Sequence, residues 1–267
     1  MNGTDLSAYL AFAHRLADAA RAAIAPHFRN RVAADNKHKS GGFDPVTDGD
    51  RAAEAAMRAL IAEVYPDHCV YGEEEGGALS DKVPTWVLDP IDGTRAFISG
   101  LPVWGTLIGL DLGVGPVVGI MDQGFTGERY FAADDGAFLN YRGRTDRLQT
   151  RSTVSLRQAN LATTSPDLFT IPAEAAAFAE IRSRAQATRY GTDCYGYAML
   201  ASGYVDLVIE SGLKAYDVQA LIPIVTQAGG VMTTWSGHSP RHGGQIIAAA
   251  TPELHAQALE ILAIAAL

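Results

Sequence analysis

Cysteine and positive charge are both scarce in this 267-residue sequence. Its two cysteines, Cys69 and Cys194, are too few for the disulfide framework that stabilises small secreted domains, so we expect both thiols to be reduced. The 21 basic residues are outnumbered by 30 acidic ones, and the formal net charge is −9. Since a polyanion binds where a protein offers a positive field, this charge predicts no nucleic-acid partner and no anionic membrane surface.

Long hydrophobic runs, targeting signals and internal repeats are also missing from the sequence. A membrane-spanning helix needs at least about 18 consecutive apolar residues, and no stretch approaches that length. The first five residues have neither the basic nor the apolar segment of a secretory signal. With 48% hydrophobic and 19% charged residues, the chain has the composition of a protein with a packed core. We therefore expect a soluble, cytoplasmic enzyme of the α/β type.

The spacing of apolar residues predicts a mixture of helices and strands. Apolar residues recur at helical spacing over residues 6–28 and 49–65. Strands are predicted at residues 69–71, 86–88, 107–112, 117–121 and 129–132, with a hairpin turn at residues 113–116. The later part alternates predicted helices (172–184, 194–202, 218–228 and 252–265) with strands (205–209 and 246–249). This alternation favours sheets covered by helices, and the polar stretch 140–151 is the best candidate for a boundary.

Two aspartates follow the second predicted strand. Asp89 and Asp92 stand three positions apart in the segment DPIDGT (residues 89–94), in which a proline and a glycine turn the chain. In that arrangement both carboxylates can bind a hard cation, and the amides of Gly93 and Thr94 can face an anion such as phosphate. The alternative is a polar turn whose aspartate caps the following helix.

Acidic residues also follow the first predicted strand and precede a late helix. Glu73, Glu74 and Glu75 are adjacent, and a bound divalent cation would relieve their mutual repulsion. For Glu74 and Glu75 we favour a solvated loop instead. Asp217 precedes an apolar helical run, where a simple N-cap is the alternative. If these acids converge with the aspartate pair, they form the all-oxygen site that Mg²⁺ prefers.

These segments resemble the motifs of the inositol monophosphatase superfamily, a group of Mg²⁺-dependent, lithium-sensitive phosphatases. DPIDGT is preceded by GEE (residues 72–74) and followed by Tyr216-Asp217 and AGG (residues 228–230), in the order of that family. The resemblance spans residues 39–230, most of the chain. It implies an α/β fold, a layered αβαβα sandwich with mixed sheets like that of the sugar phosphatases, and commonly a homodimer.

The resemblance further implies two subdomains that meet at the metals. Residues 1–145 would form an N-terminal α+β subdomain with most of the ligands, and residues 146–267 a C-terminal α/β subdomain that contributes Asp217 and substrate contacts. Lys39, or alternatively Lys37, would lie on a mobile loop that closes near the metals. Two or three Mg²⁺ ions, or Mn²⁺ in their place, would be held by a common set of oxygen ligands. The implied ligands are Glu73, Asp89, the carbonyl of Ile91, Asp92 and Asp217.

The resemblance also implies the catalytic residues. Thr94 and Asp50 match a hydroxyl–carboxylate pair that, assisted by Glu73, orients a water molecule and accepts its proton. Asp48 is the alternative to Asp50. The metal-activated water would attack a phosphate monoester in line, without a covalent phosphoenzyme.

Two further segments resemble the histidinol-phosphate phosphatase branch of the superfamily, residues 95–106 and residues 191–197 (GTDCYGY). The substrate-binding residues that this resemblance implies are Gly93, Thr94, Gly191, Asp193 and Glu210. Asp193 and Glu210 would complement the ammonium and imidazole groups of histidinol phosphate, because charge-assisted hydrogen bonds to carboxylates are strong. A helix N-cap is the alternative role for Asp193.

We therefore predict a histidinol-phosphate phosphatase of histidine biosynthesis, which acts on a small phosphorylated metabolite. One alternative is an inositol-1-phosphate or broad-specificity sugar phosphatase. From another class, a non-catalytic regulatory member of the same fold is the second alternative. An intact set of metal ligands favours the enzyme, since a scaffold has no physical reason to retain it.

A glycine-rich loop near the end of the chain contains His238 and His242, which flank the segment Ser239-Pro240-Arg241. Two histidines without a cysteine or a third ligand are a weak zinc signal. We therefore interpret this loop as solvated.

Overall fold

The structure is a computed structural model that describes residues 6–30, 35–36 and 45–267. The predicted loop lysines, Lys37 and Lys39, lie outside these residues, so their placement stays a prediction. Within the described part of the chain, none of the helices has both the length and the apolar character to cross a bilayer.

The first layer is a pair of long helices, α1 (Ser7–Ile24) and α2 (Asp48–Val64). Leu16 and Ala20, two of the apolar residues that predicted α1, are fully buried where this helix packs against α2 and the seven-stranded sheet described next. Helix α2 ends before Pro66, because the proline ring disfavours a helical conformation in the preceding residue. Two short strands lie between these helices along the chain and pair antiparallel, β1 (Asp35–Asn36) and β2 (Pro45–Val46).

A seven-stranded sheet, called the first sheet from here on, forms the second layer, and its strands lie in chain order. Its members are β3 (Cys69–Gly72), β4 (Thr85–Asp92), β5 (Gly105–Asp111), β6 (Pro116–Gln123), β7 (Glu128–Ala133), β8 (Gly136–Tyr141) and β9 (Arg144–Arg147). Strands β3 and β4 run parallel, and each later pair is antiparallel. The predicted hairpin joins β5 to β6, and the short helix α3 (Thr94–Ile98) follows β4.

A second sheet is built from five later strands. These are β10 (Asn160–Thr163), β11 (Ala187–Tyr190), β12 (Leu207–Leu213), β13 (Val231–Thr234) and β14 (Gly244–Ala249). Their spatial order is β11-β10-β12-β14-β13. Strand β10 is parallel to both of its neighbours, whereas β14 is antiparallel to both of its own, so this sheet is also mixed.

The remaining helices complete the layers. They are α4 (Pro172–Arg184), α5 (Asp193–Ala201), α6 (Ala215–Val218), α7 (Leu221–Gln227) and α8 (Pro252–Leu262). Helices α5 and α7 pack between the two sheets, and α4 and α8 pack on each other at the outer face of the second sheet. The order of layers is α1/α2, first sheet, α5/α7, second sheet, α4/α8, which confirms the predicted αβαβα sandwich with mixed sheets.

Some elements differ from their prediction. Strand β4 does not end at Leu88 but continues through Pro90 to Asp92, and its pairing with β5 shifts register between Asp89 and Asp92. Such a bulge accommodates a proline that cannot donate to the ladder. The helix predicted at 218–228 is divided into α6 and α7. Strand β9 was not predicted because each of its residues is exposed, which leaves no apolar alternation to mark it.

Two glycines allow the chain around α6 and α7 to lie directly on the first sheet. A Cβ on Gly109 of β5 would stand 3.0 Å from the Cβ of Gln219. A Cβ on Gly119 of β6 would stand 2.0 Å from the carbonyl oxygen of Ala220. This close approach places α6, the helix that contains Asp217, against β4 and β5.

We expect Gly119→Ala to lower the free energy of unfolding by about 2 kcal/mol, the usual cost of overpacking a rigid core. The added methyl group would meet the backbone oxygen of Ala220, which cannot move away without moving the chain. Urea unfolding followed by circular dichroism measures the change. Val114→Ala is the control, because Val114 is 80% exposed in the β5–β6 hairpin. Equal stability of Gly119→Ala and wild type would contradict the close contact between these layers.

Candidate metal centre and active site

Three aspartates from two different layers converge at one place in the fold. Asp89 and Asp92 lie on the bulged end of β4, and Asp217 lies in α6. One carboxylate oxygen of each lies within 4.8 Å of the other two. Carboxylate oxygens at this spacing are the ligands that hard divalent cations such as Mg²⁺ take in proteins. The cluster could therefore bind a metal ion.

Glu73 extends this cluster. It follows β3 immediately, and its amide donates a 3.1 Å hydrogen bond to the carbonyl of Leu88 on the neighbouring β4. Its carboxyl group is hydrogen-bonded to that of Asp89 and contributes to the electrostatic field at Asp92 and Asp217. The structure thus brings together the four acidic side chains that the resemblance implied as metal ligands.

A buried glutamate of α2 holds the turn that contains Glu73. The carboxylate of Glu54 accepts hydrogen bonds from the amides of Glu74 (2.8 Å) and Glu75 (3.0 Å), and Arg58 donates to it at 2.8 Å. Gly72 permits this approach, since a Cβ there would stand 2.1 Å from Glu54 Oε1. Sequence reasoning missed this role because an acid on an amphipathic helix is ordinarily a solvated surface charge.

Burial and mutual repulsion raise the pKa values of the three aspartates. The pKa of Asp89 is raised well above its usual range by burial and by the charges of Glu73, Asp92 and Asp217. Burial and Asp217 raise the pKa of Asp92 to about 7. Burial also raises the pKa of Asp217 to about 7, against the hydrogen bond from the amide of Lys214. A divalent cation would remove this repulsion, so the donor set fits a metal ion.

One further observation supports that fit. Asp89 Oδ1 is buried and has no hydrogen-bond partner among the described residues. A buried carboxylate oxygen without a donor is costly, because it has lost water and gained nothing in return. Coordination of a cation would satisfy it.

Backbone amides hold the other two aspartates. The amide of Cys194, in the first turn of α5, donates to Asp92 Oδ2 at 2.7 Å, and the amide of Lys214 donates to Asp217 Oδ2 at 2.6 Å. Asp217 therefore caps α6 and belongs to the cluster at the same time. Asp193 does not cap α5, because it is itself the first helical residue, and no side chain of its own segment caps that helix. The N-cap alternative for Asp193 is wrong.

The predicted water-orienting pair lies on neighbouring elements, since α3 packs against β2, the strand that leads into α2. Asp50 is buried in the first turn of α2, and its Oδ2 accepts hydrogen bonds from the amide (2.8 Å) and the hydroxyl (2.6 Å) of Thr47. Asp48 is exposed and lies 3.6 Å from Arg51. Thr94 donates from its hydroxyl to the carbonyl of Ile91 at 3.0 Å. The pairing of Thr94 with Asp50 stays a prediction.

A small cavity of about 20 Å³, lined by both polar and apolar side chains, adjoins the cluster. Glu210 lines it, and its Oε1 accepts hydrogen bonds from the amide (2.8 Å) and hydroxyl (3.1 Å) of Thr164. Glu210 Oε2 and the hydroxyl of Tyr197 are both buried without a hydrogen-bond partner among the described residues. Burial raises the pKa of Glu210 to about 8, although the hydrogen bonds from Thr164 oppose the shift. Sequence reasoning missed the cavity positions of Thr164 and Tyr197. Thr164 has the neighbours of an ordinary strand end, and Tyr197 lies within the segment GTDCYGY but was not singled out in it.

Asp193 also lines this cavity and lies directly against Gly93. A Cβ on Gly93, whose φ is +82°, would stand 3.1 Å from the Cβ and Cγ of Asp193. Burial and the charge of Asp92 raise the pKa of Asp193 to about 7, and Arg95 opposes this shift. Gly191 closes the turn before α5 by donating from its amide to the carbonyl of Thr164 at 2.8 Å. Asp193 and Glu210, two of the predicted substrate residues, therefore line one pocket beside the cluster, and Gly93 lies against Asp193. The substrate-binding roles of Gly93, Thr94, Gly191, Asp193 and Glu210 stay predictions.

The raised pKa of Asp92 predicts how metal-free stability depends on pH. A carboxyl group whose pKa is higher in the folded state stabilises the fold below its ordinary pKa of about 4, and that contribution is lost as the pH rises. In the presence of a chelator, we compare the free energy of unfolding of Asp92→Asn with that of wild type. We expect the difference to shift in favour of the variant by about 1 to 3 kcal/mol as the pH rises from about 5 to about 8. Asparagine keeps an oxygen to accept from Cys194.

Urea unfolding at the two pH values measures this difference. Asp134→Asn is the matched control, because Asp134 is an exposed residue of the turn between β7 and β8. A difference between Asp92→Asn and wild type that does not change with pH would contradict the shift.

Comparison with known proteins agrees with this geometry. The sequence pattern of the inositol monophosphatase family matches residues 5–265. The chloroplastic bifunctional phosphatase IMPL2 of Arabidopsis thaliana is 41% identical over 98% of this chain and 77% of its own length. A histidinol-phosphatase of Streptomyces coelicolor is 35% identical over 95% of this chain and 96% of its own. The structure of an inositol monophosphatase from Zymomonas mobilis superimposes with a TM-score of 0.85 and 40% identity, over 98% of this chain and 100% of that one. The chain belongs to the inositol monophosphatase family and is a phosphatase of that family.

Proposed function

We propose that this protein hydrolyses histidinol phosphate in a reaction that depends on Mg²⁺. The observation that carries the proposal is the pair of carboxylates, Asp193 and Glu210, in the cavity beside the aspartate cluster. Histidinol phosphate carries an ammonium group and an imidazole, whereas inositol phosphates present only hydroxyl groups around the ester. Two carboxylates largely withdrawn from water favour the cationic ligand, because attraction between opposite charges is stronger away from water.

A cationic ligand would stabilise the two carboxylates of the ligand-free cavity. The pKa values of Asp193 and Glu210, about 7 and about 8, reflect the cost of charging these groups without a cationic partner. An ammonium group would supply that partner and favour the charged carboxylates. Glu210 Oε2, which has no partner among the described residues, would accept one of its hydrogen bonds.

The proposed metal ligands come from two layers of the fold, the first sheet and the helices between the sheets. We assign this role to Glu73, Asp89, the Ile91 carbonyl, Asp92 and Asp217, which together would hold two or three Mg²⁺ ions, or Mn²⁺ in their place. When bound, such ions lower the pKa of a coordinated water and neutralise charge on the phosphate. The backbone amide donors at Asp92 and Asp217 would keep these carboxylates oriented toward the cluster.

The other residues position the reacting groups. The Thr94 hydroxyl donates to the Ile91 carbonyl, which leaves its lone pairs to accept a hydrogen bond from the attacking water. We assign acceptance of the water's proton to Asp50 and Glu73. The first amides of α3, at Gly93 and Thr94, have no acceptor within the helix and would donate to the phosphate oxygens.

The names of the relatives support this substrate in part. The Streptomyces relative, which matches over nearly its whole length, is called a histidinol-phosphatase. The Zymomonas structure is described as an inositol monophosphatase, so an inositol phosphate or another sugar phosphate is the alternative substrate. Residue 193 distinguishes the two, since the carboxylate of Asp193 suits a cation better than a neutral polyol.

Asp89→Asn should reduce Mg²⁺-dependent hydrolysis of histidinol phosphate by about 1,000-fold, because a lost central ligand removes several kcal/mol of transition-state stabilisation. Release of inorganic phosphate measures the rate, and circular dichroism checks the fold. Asp134→Asn is the control, because Asp134 is exposed in the turn between β7 and β8. Full activity of Asp89→Asn would contradict the ligand assignment. A wild-type protein that releases phosphate from no ester would favour the regulatory alternative.

Asp193→Ala should lower kcat/KM for histidinol phosphate by about 10- to 100-fold, the loss expected for a charge-assisted hydrogen bond. Hydrolysis of inositol 1-phosphate should change much less, because a neutral hydroxyl gains little from the carboxylate. Steady-state kinetics on both substrates with Mg²⁺ compare the two effects. An equal loss on both esters would indicate that Asp193 maintains the site and does not select the substrate.

A further inference from the structure

We propose that Arg241 is a positioning residue that fixes Asp217 relative to the carboxylates of the first sheet and thereby sets the affinity for a divalent cation. The effect on affinity rests on the proposed function, since it requires the cluster to bind metal. Arg241 lies in the loop between β13 and β14, on the second sheet, yet its partners belong to the first. That loop was interpreted as solvated, and for Arg241 the interpretation is wrong: its side chain is only 10% exposed.

The guanidinium group of Arg241 binds a buried aspartate at the end of β5. Its Nε donates to Asp111 Oδ2 at 2.7 Å and its Nη2 to Asp111 Oδ1 at 3.2 Å. Asp111 is fully buried, and its Oδ1 also accepts from the amide of Gly113 at 2.7 Å. A bidentate pair of this kind fixes distance and orientation together, because the planar guanidinium fork matches the carboxylate.

The same guanidinium reaches the segment that joins Glu73 to β4. Its Nη1 donates to Asp81 Oδ1 at 2.6 Å, and its Nη2 donates to the carbonyl of Ser80 at 3.1 Å. Ser80 and Asp81 lie between Glu73 and the start of β4. Arg241 is thus tied to β5 and to the segment that joins Glu73 to β4, the strand that carries Asp89 and Asp92. Asp111 pairs with Thr85 at the start of that strand.

Gln219 connects Arg241 and Asp111 to α6, the helix that contains Asp217. Its Nε2 donates to the carbonyl of Arg241 at 2.8 Å and to Asp111 Oδ2 at 3.1 Å. Gln219 is fully buried and directly follows α6, and its amide donates to the carbonyl of Ala215 at 3.0 Å. The end of α6 is therefore bonded to Arg241 and to the residue that Arg241 binds.

The start of α6 is held by the same loop. A Cβ on Gly243, whose φ is +78°, would stand 2.4 Å from the carbonyl oxygen of Leu213 and 2.7 Å from the carbonyl carbon of Lys214. The amide of Lys214 is the group that donates to Asp217 Oδ2. The Arg241 loop consequently contacts the backbone before Asp217 and the side chain of Gln219 after it. Movement of this loop would move the ligand relative to Asp89 and Asp92.

Charge alone predicts the opposite effect on metal binding. Removal of a cation near an acidic site strengthens the attraction for Mg²⁺, whereas displacement of a ligand weakens its binding. A weaker affinity after loss of Arg241 would therefore report position and not electrostatics. Lysine at 241 keeps the charge but lacks the fork, so Arg241→Lys tests geometry separately.

The chain provides a closely matched control. Arg129 is 12% exposed and binds one buried aspartate, Asp122 (1% exposed), and one exposed aspartate, Asp18 (70% exposed). For Arg241 the corresponding values are 10% for itself, 0% for Asp111 and 79% for Asp81. Arg129 joins α1 to β6 and β7 and has no bond to α6 among the described residues. Arg129→Met should thus cost comparable stability without moving Asp217.

The experiment compares wild type with Arg241→Met, Arg241→Lys, Gln219→Met and Arg129→Met. Isothermal titration calorimetry with Mg²⁺ and with Mn²⁺ measures affinity, and hydrogen–deuterium exchange in chelator measures protection of residues 213–221. We expect both Arg241 variants and Gln219→Met to bind Mg²⁺ about 10-fold more weakly and to exchange faster over these residues. Arg129→Met should match wild type in both measurements. Gln219→Met removes only the link to α6, so it tests the proposal if the arginine variants fail to fold.

Two results would overturn the proposal: unchanged Mg²⁺ affinity in folded Arg241 and Gln219 variants, or exchange over residues 213–221 that is no faster than in Arg129→Met. Failure of the proposed function is distinguishable from both. In that case wild type itself binds no Mg²⁺, and the exchange measurement alone decides whether Arg241 positions Asp217.

Discussion

Repulsion among carboxylates held close together is the constraint that governs the architecture of this protein. Asp89, Asp92 and Asp217 lie within a few ångströms of one another in a largely buried place, and their raised pKa values measure how unfavourable their charges are there. Like charges separate unless the surrounding structure prevents it. The fold prevents it with fixed backbone donors, since amides from two helix starts point at two of the carboxylates. Such donors stabilise negative charge without neutralising it, which keeps the acids available for a cation.

The layers place those donors where they are needed. Helices α5 and α6 begin at the junction of the two sheets, so that one sheet supplies Asp89 and Asp92 while the helical layer supplies Asp217 and the amides. Glycines at 109 and 119 remove the side chains that would hold the layers apart. Glu54 holds the Glu73 turn from the opposite side of the same sheet. The acidic site is therefore a product of close layer packing as much as of its own residues.

Local signals in the sequence predicted sheets covered by helices and marked the acids, whereas the order of the layers was implied by the family resemblance. Apolar periodicity marks α1 and α2, and the short acidic motifs mark Glu73, Asp89 and Asp92. Other features depend on contacts between distant segments and leave no such signal. Strand β4 continues past a proline because a bulge forms against β5, and the cap that was the alternative role for Asp193 is supplied by Asp92 from another element.

Single residues with ordinary neighbours were the hardest to predict. Arg241 looks like a loop charge, and Glu54 like the polar face of a helix, until the tertiary structure buries both. Thr164 and Tyr197 line the cavity from a strand end and a helix interior. Their importance follows from where the chain folds and not from which residues stand beside them.

The contact between Asp92 and the first turn of α5 has a consequence for how this protein can diverge. The donor to Asp92 is a backbone amide, which every residue except proline possesses, and the neighbouring position 193 faces the cavity. Exchange of the side chain at 193 therefore keeps this donor, and the positive φ of residue 193 (+43°) favours aspartate, asparagine or glycine there. Under the proposed function, selectivity for the organic part of an ester could therefore change while the metal ligands stay the same, and the close approach of Gly93 would limit the size of a new side chain at 193.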